Sequence, residues 1–317
     1  MTLAAVTIDV DSLRFYRQIH GLSDAASRAE ALERDPIYLS ALPRFWELVS
    51  DLPCTLFLIG QDAAVHPTAF TPVRATGSEV ASHSHAHDYR LSRRHPEDIE
   101  QDLVEAERVL TPLNGGRRPV GFRAPGYNQS PPLISALVAR GYHYDSSLLP
   151  SPMYFGLRAG AIGYYGLRGQ PSRSLTGDAR AFTGPLHPYR MRPSEYWQAH
   201  PTGSLWEFPM SVEPRTRWPL IGTTWIAMPE GLRHRALRGL AKRKLPFVFE
   251  MHAIDLLDAA EVPAELAARQ ADLKIPVADK LRRLRDLVRW LREDWDVRPL
   301  RDWPKALGGD HPRSSSI

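Results

Sequence analysis

"EVASHSHAH", residues 79–87, runs from a short apolar segment straight into three histidines in five positions, His83, His85 and His87. Only 12 histidines occur in the chain, so this crowding asks for a cause. Outward from it, other short apolar runs also end on polar residues. "AAVTIDV" (4–10) carries Asp9 and leads into Asp11, and "PVGFRAP" (119–125) reaches Arg123. "YHYDSSLL" (142–149) holds Asp145, and "PFVFEMH" (246–252) closes on His252. "CTLFLIG" (54–60) and "SLWEFPM" (204–210) read as further buried strands, the latter with Glu207 facing the same end.

Helical patterns separate these runs. "DPIYLSALPRFWELVSDLP" (35–53) offers Asp35 as N-cap and Pro36 at the first helical position. In "HPEDIEQDLVEAERVL" (95–110), Ile99, Leu103, Ala106 and Leu110 share one face. "PPLISALVARG" (131–141) starts on prolines and stops on Gly141, and a last helix gathers Leu281, Leu284, Val288 and Leu291. Strand–helix alternation predicts a parallel sheet or barrel with its helices outside. In such a barrel the strand C-termini converge on one face, where the polar residues above would meet.

A 43% hydrophobic and 24% charged composition is that of a folded soluble protein. We expect a single domain over 1–317, with the Gly-, Pro-, Arg- and Tyr-rich stretch 150–202 as an irregular insertion over the barrel mouth and 309–317 as a frayed tail. The one cysteine, Cys54, cannot form an internal disulfide and reads as a small buried hydrophobe. No run approaches the roughly 20 apolar residues of a membrane span, and "MTLAAVTIDVD" lacks the features of a leader. The expectation is a cytoplasmic protein. The insertion mixes Tyr, Phe, Leu and Ile with Arg in "MYFGLRAGAIGYYGLRG" (153–169), which adds peripheral contact with the inner membrane face as a second expectation. Net charge is +4, concentrated in "GLRHRALRGLAKRKLP" (231–246) and "KLRRLRDLVRWLRE" (280–293). These read as solvated helix faces. Acidic residues are interspersed and no recognition motif accompanies the charge, so nucleic-acid binding is not expected. Nothing in the sequence speaks to oligomeric state.

His83 and His87 are four apart, a spacing that can bring two imidazoles to one ion. A carboxylate would complete a two-His-one-Asp set of the kind that holds Zn²⁺ or Fe²⁺ with positions left open. Asp11 is the best donor. Asp9 and Asp11, two apart on a strand, point to the same face, so one can bind a metal while the other stays free as a base. His85, between the two ligands, is read as a bystander.

At this point the sequence resembles the polysaccharide deacetylase (NodB-homology, carbohydrate esterase) family. "TIDVD" matches the family's first motif in the D-x-D form of some intracellular branches, "HSHAH" matches H-[ST]-x-x-H, "RAPGY" matches R-x-P, and "FVFEMH" matches the strand ending in histidine. The resemblance covers roughly 4–150 and 203–300, in motif order. It implies a distorted (β/α) barrel and a metal-dependent hydrolase that removes acetyl groups from sugars. By position, Asp11, His83 and His87 would hold one divalent metal, Zn first, with Co, Ni or Fe as alternatives. Asp9 would be the base and Arg123 its orienting partner. His252 would be the acid, kept protonated by Asp145 or Asp255. The oxyanion would meet a backbone N–H just after Pro125, and Gly126, Tyr127 and Glu207 would contact substrate. Gly126 intervenes before the aromatic that usually follows the proline directly, and "YDSSLL" lacks the tryptophan of the fourth motif. The expected substrate is an acetylated amino sugar, small or lipid-linked. A deformylase, a non-sugar amidohydrolase and a non-catalytic sugar-binding homologue remain as alternatives.

Overall fold

The computed structural model describes residues 1–22, 32–167, 169, 175 and 177–308, so the stretch 309–317 lies outside the described residues. Eight strands form one path in the order β6-β7-β5-β4-β3-β2-β1-β8. These are β1 (Thr2–Val10), β2 (Thr55–Leu58), β3 (Glu79–Ser82), β4 (Gly121–Phe122), β5 (Tyr144–Asp145), β6 (Tyr189–Met191), β7 (Leu205–Glu207) and β8 (Phe247–His252). β9 (Trp295–Val297) pairs with the start of β1, and every pairing is parallel except β6 with β7.

The sheet curls into a distorted barrel. Its two flanks are drawn together by the chain just after β7. Phe208 N–H and Met210 N–H donate to Asp145 O and Leu148 O, and Ser211 N–H donates to Val248 O at 3.0 Å. Ser211 Oγ in turn accepts from Val248 N–H at 2.9 Å.

Apolar burial outside the barrel follows the helical periodicity. Ile99, Leu103, Ala106 and Leu110 are buried along the helix Pro96–Leu113, and Leu284, Val288 and Leu291 along Val277–Asp294. The helix Pro131–Ala139 is capped by Ser130, whose hydroxyl accepts from Leu133 N–H, and Gly141 turns the chain at φ +71°. Asp35 accepts from the N–H groups of Ile37 and Leu13. The helix it opens is not regular, because Pro43 has no N–H to give to Leu39, and residues Ile37–Ala41 widen into a π turn before Leu42–Val49.

Within 150–202 the described residues hold more regular structure than the composition suggests. They include a 16-residue helix, Pro152–Leu167, and strand β6. Gly156, Gly160, Gly163 and Gly166 interrupt the apolar pattern of that helix, which hides its period in the sequence. Among the described residues no helix is long and apolar enough to cross a membrane.

Candidate active site

Parallel strands bring their C-termini to one mouth. Asp9 and His252 are register partners on β1 and β8, and His83 and Arg123 directly follow β3 and β4. Asp11 lies one residue beyond β1.

Asp11, His83 and His87 converge. His83 Nε2 and His87 Nε2 are 3.2 Å apart, the first 3.5 Å from Asp11 Oδ1 and the second 3.5 Å from Asp11 Oδ2. Ligand bonds of about 2.0–2.1 Å in a tetrahedral array place donor atoms roughly 3.4 Å from one another. The triad therefore has the spacing of three donors around one centre. His83 Nδ1 lies 2.7 Å from the Arg123 carbonyl oxygen, to which it donates, so the lone pair of Nε2 is left for the centre. Asp11 Oδ1 is buried without a hydrogen-bond partner. Burial pushes the Asp11 carboxyl up to about 6, against the pull of His83 and His252, and burial drives His87 well below the ordinary imidazole range. Two imidazole nitrogens and an orphaned carboxylate oxygen, packed this closely, fit a divalent cation.

The histidine loop is pinned from three sides. Ser84 Oγ accepts from His87 N–H at 2.9 Å, and Gly60 N–H donates to Ser84 O. Asp102, on the helix Pro96–Leu113, accepts from His85 N–H and Ala86 N–H at 2.8 and 3.0 Å. These bonds hold Ser84 and His87 at φ +65° and +51°, a region that side chains other than glycine's visit at a cost of about 1–2 kcal/mol per residue. His87 is further confined between the rings of Phe15 and Tyr89. His85 makes no part of the triad.

Arg123 is fully buried and holds Asp9. Its Nη1 donates to Asp9 Oδ1 at 2.5 Å and to Thr7 Oγ1 at 3.1 Å, while Nε and Nη2 donate to Ser146 O and Ser146 Oγ. Its guanidinium also lies over the Phe57 ring at 4.0 Å. The second Asp9 oxygen has no hydrogen-bond partner and lies 3.9 Å from His83 Nε2.

His252 sits opposite, its Nε2 4.0 Å from Asp11. Its carboxylate partner is neither Asp145 nor Asp255 but Glu250, whose Oε1 is 2.9 Å from His252 Nδ1. Two residues apart on β8, both side chains point into the barrel. Burial opposes protonation of His252, but Glu250, with Asp9 and Asp11 behind it, outweighs that and holds the imidazolium well above its ordinary range. Asp255 caps the turn after β8 instead, accepting from His252 N–H at 3.0 Å and from Thr223.

Asp145 and Glu207 form a separate buried pair, bridged by Gln129 Nε2 at 2.7 and 2.8 Å. Asp145 also accepts from Ser147 Oγ, and Glu207 from Leu148 N–H. Burial raises both carboxyls, Asp145 to about 6. Neither side chain lines the cavity that holds the triad; both brace the loop carrying Ser146 and Ser147, and through Ser146 they support Arg123.

That cavity has a volume of about 170 Å³ and is walled by Tyr16, Tyr89, Gly126, Tyr127, Tyr154 and Arg158 around the polar group. Tyr127 and Gly126 therefore stand where substrate contacts were expected. Tyr127 N–H is spent on Ala124 O at 2.8 Å, which leaves Gly126 N–H as the turn's backbone donor. Glu250 reads in the sequence as an ordinary strand residue, and Tyr154 and Arg158, from the helix Pro152–Leu167, carry no signal there that marks them for the site.

The polysaccharide deacetylase family model matches residues 49–144. That span holds His83, His87 and Arg123, while Asp9, Asp11 and His252 join them only in three dimensions. A peptidoglycan deacetylase-like protein of Gibberella zeae is 33% identical over 96 residues, which is 30% of this chain but only 27% of that protein. Among solved structures, a Mycobacterium smegmatis protein assigned as a polysaccharide deacetylase superimposes with a TM-score of 0.61 at 18% identity, covering 99% of this chain and 93% of its own. PuuE allantoinase gives 0.58 at 15% identity over 98% and 92%. At these identities both structures speak to the fold, which they share with this chain.

Proposed function

We propose that the chain is a member of the polysaccharide deacetylase family, whose model matches residues 49–144, and that it is a metal-dependent hydrolase that removes an N-acetyl group from an amino sugar. The observation that carries this reading is the Asp11–His83–His87 triad, with donor separations of 3.2, 3.5 and 3.5 Å, flanked by a carboxylate on one side and an imidazolium on the other. Asp11, His83 and His87 would hold the divalent ion, zinc by preference for two imidazoles and a carboxylate. The chemistry supplied by such an ion is a water acidified toward a pKa of about 7 and a polarised acyl carbonyl.

The rest falls to side chains of this chain. Asp9, its outer oxygen free and its inner one fixed by Arg123, takes the proton of the attacking water as general base. Gly126 N–H donates to the oxyanion as the carbonyl carbon becomes tetrahedral. An amine departs poorly without a proton, and His252 delivers one from Nε2 while Glu250 stabilises the charge on the ring. The cavity of about 170 Å³ suits an acyl group and part of one sugar ring.

The substrate pool we propose is a small or lipid-linked glycan intermediate in the cytoplasm, reached at the membrane surface. Support comes from the helix Pro152–Leu167, which lends Tyr154 and Arg158 to the cavity wall and exposes Leu157 at 69% and Leu167 at 91%.

The test incubates zinc-loaded protein with polar-lipid and soluble-sugar extracts, with Asp9→Asn as control, and reads masses. A species that loses one acetyl mass only with wild type supports the reading and names the pool. Release of formate instead of acetate makes the protein a deformylase. No change in either extract with stoichiometric zinc bound refutes the deacetylase. Absence of flotation with anionic liposomes removes the membrane contact.

A further inference from the structure

The helix Pro152–Leu167 does more than cover the mouth. Tyr154 and Arg158, four residues apart and so on one side of it, both line the cavity. Phe155 anchors the helix by stacking on Phe182 at 3.9 Å. From this fixed base Arg158 Nη1 donates to the carbonyl oxygen of Gly126 at 2.8 Å.

The turn it reaches is an unusual one. Gly126 and Tyr127 are consecutive left-handed residues, at φ +60° and +63°. Glycine takes that conformation freely, whereas tyrosine pays about 1–2 kcal/mol, so the turn needs outside restraint to persist. Each peptide flanking the Gly126 Cα has one. Asn128 Nδ2 donates to Pro125 O at 3.1 Å and so orients the peptide that carries Gly126 N–H. Arg158 holds the next peptide through Gly126 O. Contact is close enough that a Cβ added at Gly126 would meet Arg158 Nη2 and Tyr89 Cδ1 at 2.8 Å.

Resting on the hydrolase reading above, we infer that Arg158 is a positioning residue for the reaction: it locks the Gly126–Tyr127 turn so that Gly126 N–H faces the developing oxyanion. The inserted helix is thereby part of the catalytic apparatus and not only a cover. Arg158 adds a fixed positive charge one residue's backbone away from that donor, which favours the oxyanion further.

The test compares Arg158→Gln and Arg158→Lys with wild type as full-length, zinc-loaded protein, using 4-nitrophenyl acetate as probe. Removing an oxyanion donor outright costs about 10²–10³ in kcat, so loosening one should cost about 10- to 100-fold in Arg158→Gln, with KM changed less than about 3-fold. Arg158→Lys, which keeps a donor and the charge, should recover part of the loss. Ala159→Gln, on the exposed side of the same helix, should leave kcat unchanged and so controls for disturbance of the helix. Hydrogen exchange of the metal-free proteins gives the independent readout: amides of the 124–130 segment should exchange faster in Arg158→Gln by about tenfold or more. Unchanged kcat with unchanged exchange overturns the inference. Wild-type protein inactive on every acyl probe overturns the hydrolase reading, and the exchange comparison then still decides whether Arg158 holds the turn.

Discussion

Replacing Glu250 by Gln removes one negative charge beside His252 and leaves volume and strand intact. In the structure the two groups meet at 2.9 Å, with Glu250 fully buried and the His252 side chain 23% exposed. Charge centres about 4 Å apart at an effective dielectric constant near 20 interact by about 4 kcal/mol. Solvent at the exposed edge of the ring screens part of this, leaving roughly 2–3 kcal/mol. The sign follows from the group: an imidazole whose pKa is raised by its partner is protonated, and active as an acid, below the raised value. Removing the partner therefore moves the alkaline limb of the rate profile downward. A bound divalent ion repels the imidazolium in both proteins, so the difference between variant and wild type is the quantity to read. With tri-N-acetylchitotriose as an amide probe, kcat/KM at pH 8 should fall about 100-fold, and the alkaline limb should move to lower pH. 4-Nitrophenyl acetate, whose leaving group needs no proton, should be cleaved nearly as before. An unmoved limb, or an equal loss on both probes, would refute the assignment of Glu250 as the partner of the acid.

Asp11→Asn should abolish stoichiometric zinc binding, whereas Asp9→Asn should retain it and lose about 10²–10⁴ in turnover; elemental analysis alongside kinetics separates the two. Asp9→Asn should also cost about 3 kcal/mol in stability by leaving buried Arg123 without its counter-charge, and an unaltered denaturation midpoint would contradict the buried pair. Gly121→Ala should prevent folding or sharply lower Tm, because a Cβ there would lie 1.9 Å from Tyr144 Cζ; a melting curve superimposable on wild type would show that contact to be wrong. Burial pushes the Cys54 thiol up to about 12, so Ellman's reagent at pH 8 should find no thiol in native protein and one after denaturation.

The barrel was legible because strand and helix leave different periods in the sequence, and because Asp9, His83, Arg123 and His252 all interrupt apolar runs at the same relative point. The triad was legible for a related reason: Asp11, His83 and His87 are polar where a strand end has just spent its apolar residues. The partner of His252 was not. Glu250 is enclosed in "FVFEMH" like any strand residue, and only the closure of β1 against β8 shows that it faces inward beside the acid. Asp145 ends its strand as the others do, but Gln129 and Glu207, distant in sequence, claim it. The helix Pro152–Leu167 escaped notice because glycines every three or four residues dilute its apolar face, and its hold on Gly126 depends on a single long side chain.

Arg123 touches nearly everything that the proposed chemistry requires. Its carbonyl fixes the tautomer of His83, its guanidinium holds Asp9, and its N–H joins the sheet at Ser82 O. Such convergence makes the site brittle under mutation. A substitution at Arg123 keeps the backbone carbonyl and N–H but strips Asp9 and Ser146 of the guanidinium at once, so it should combine non-additively with changes at either residue. Gradual decay would start elsewhere, at residues such as Arg158 whose loss leaves the hold on Asp9 intact.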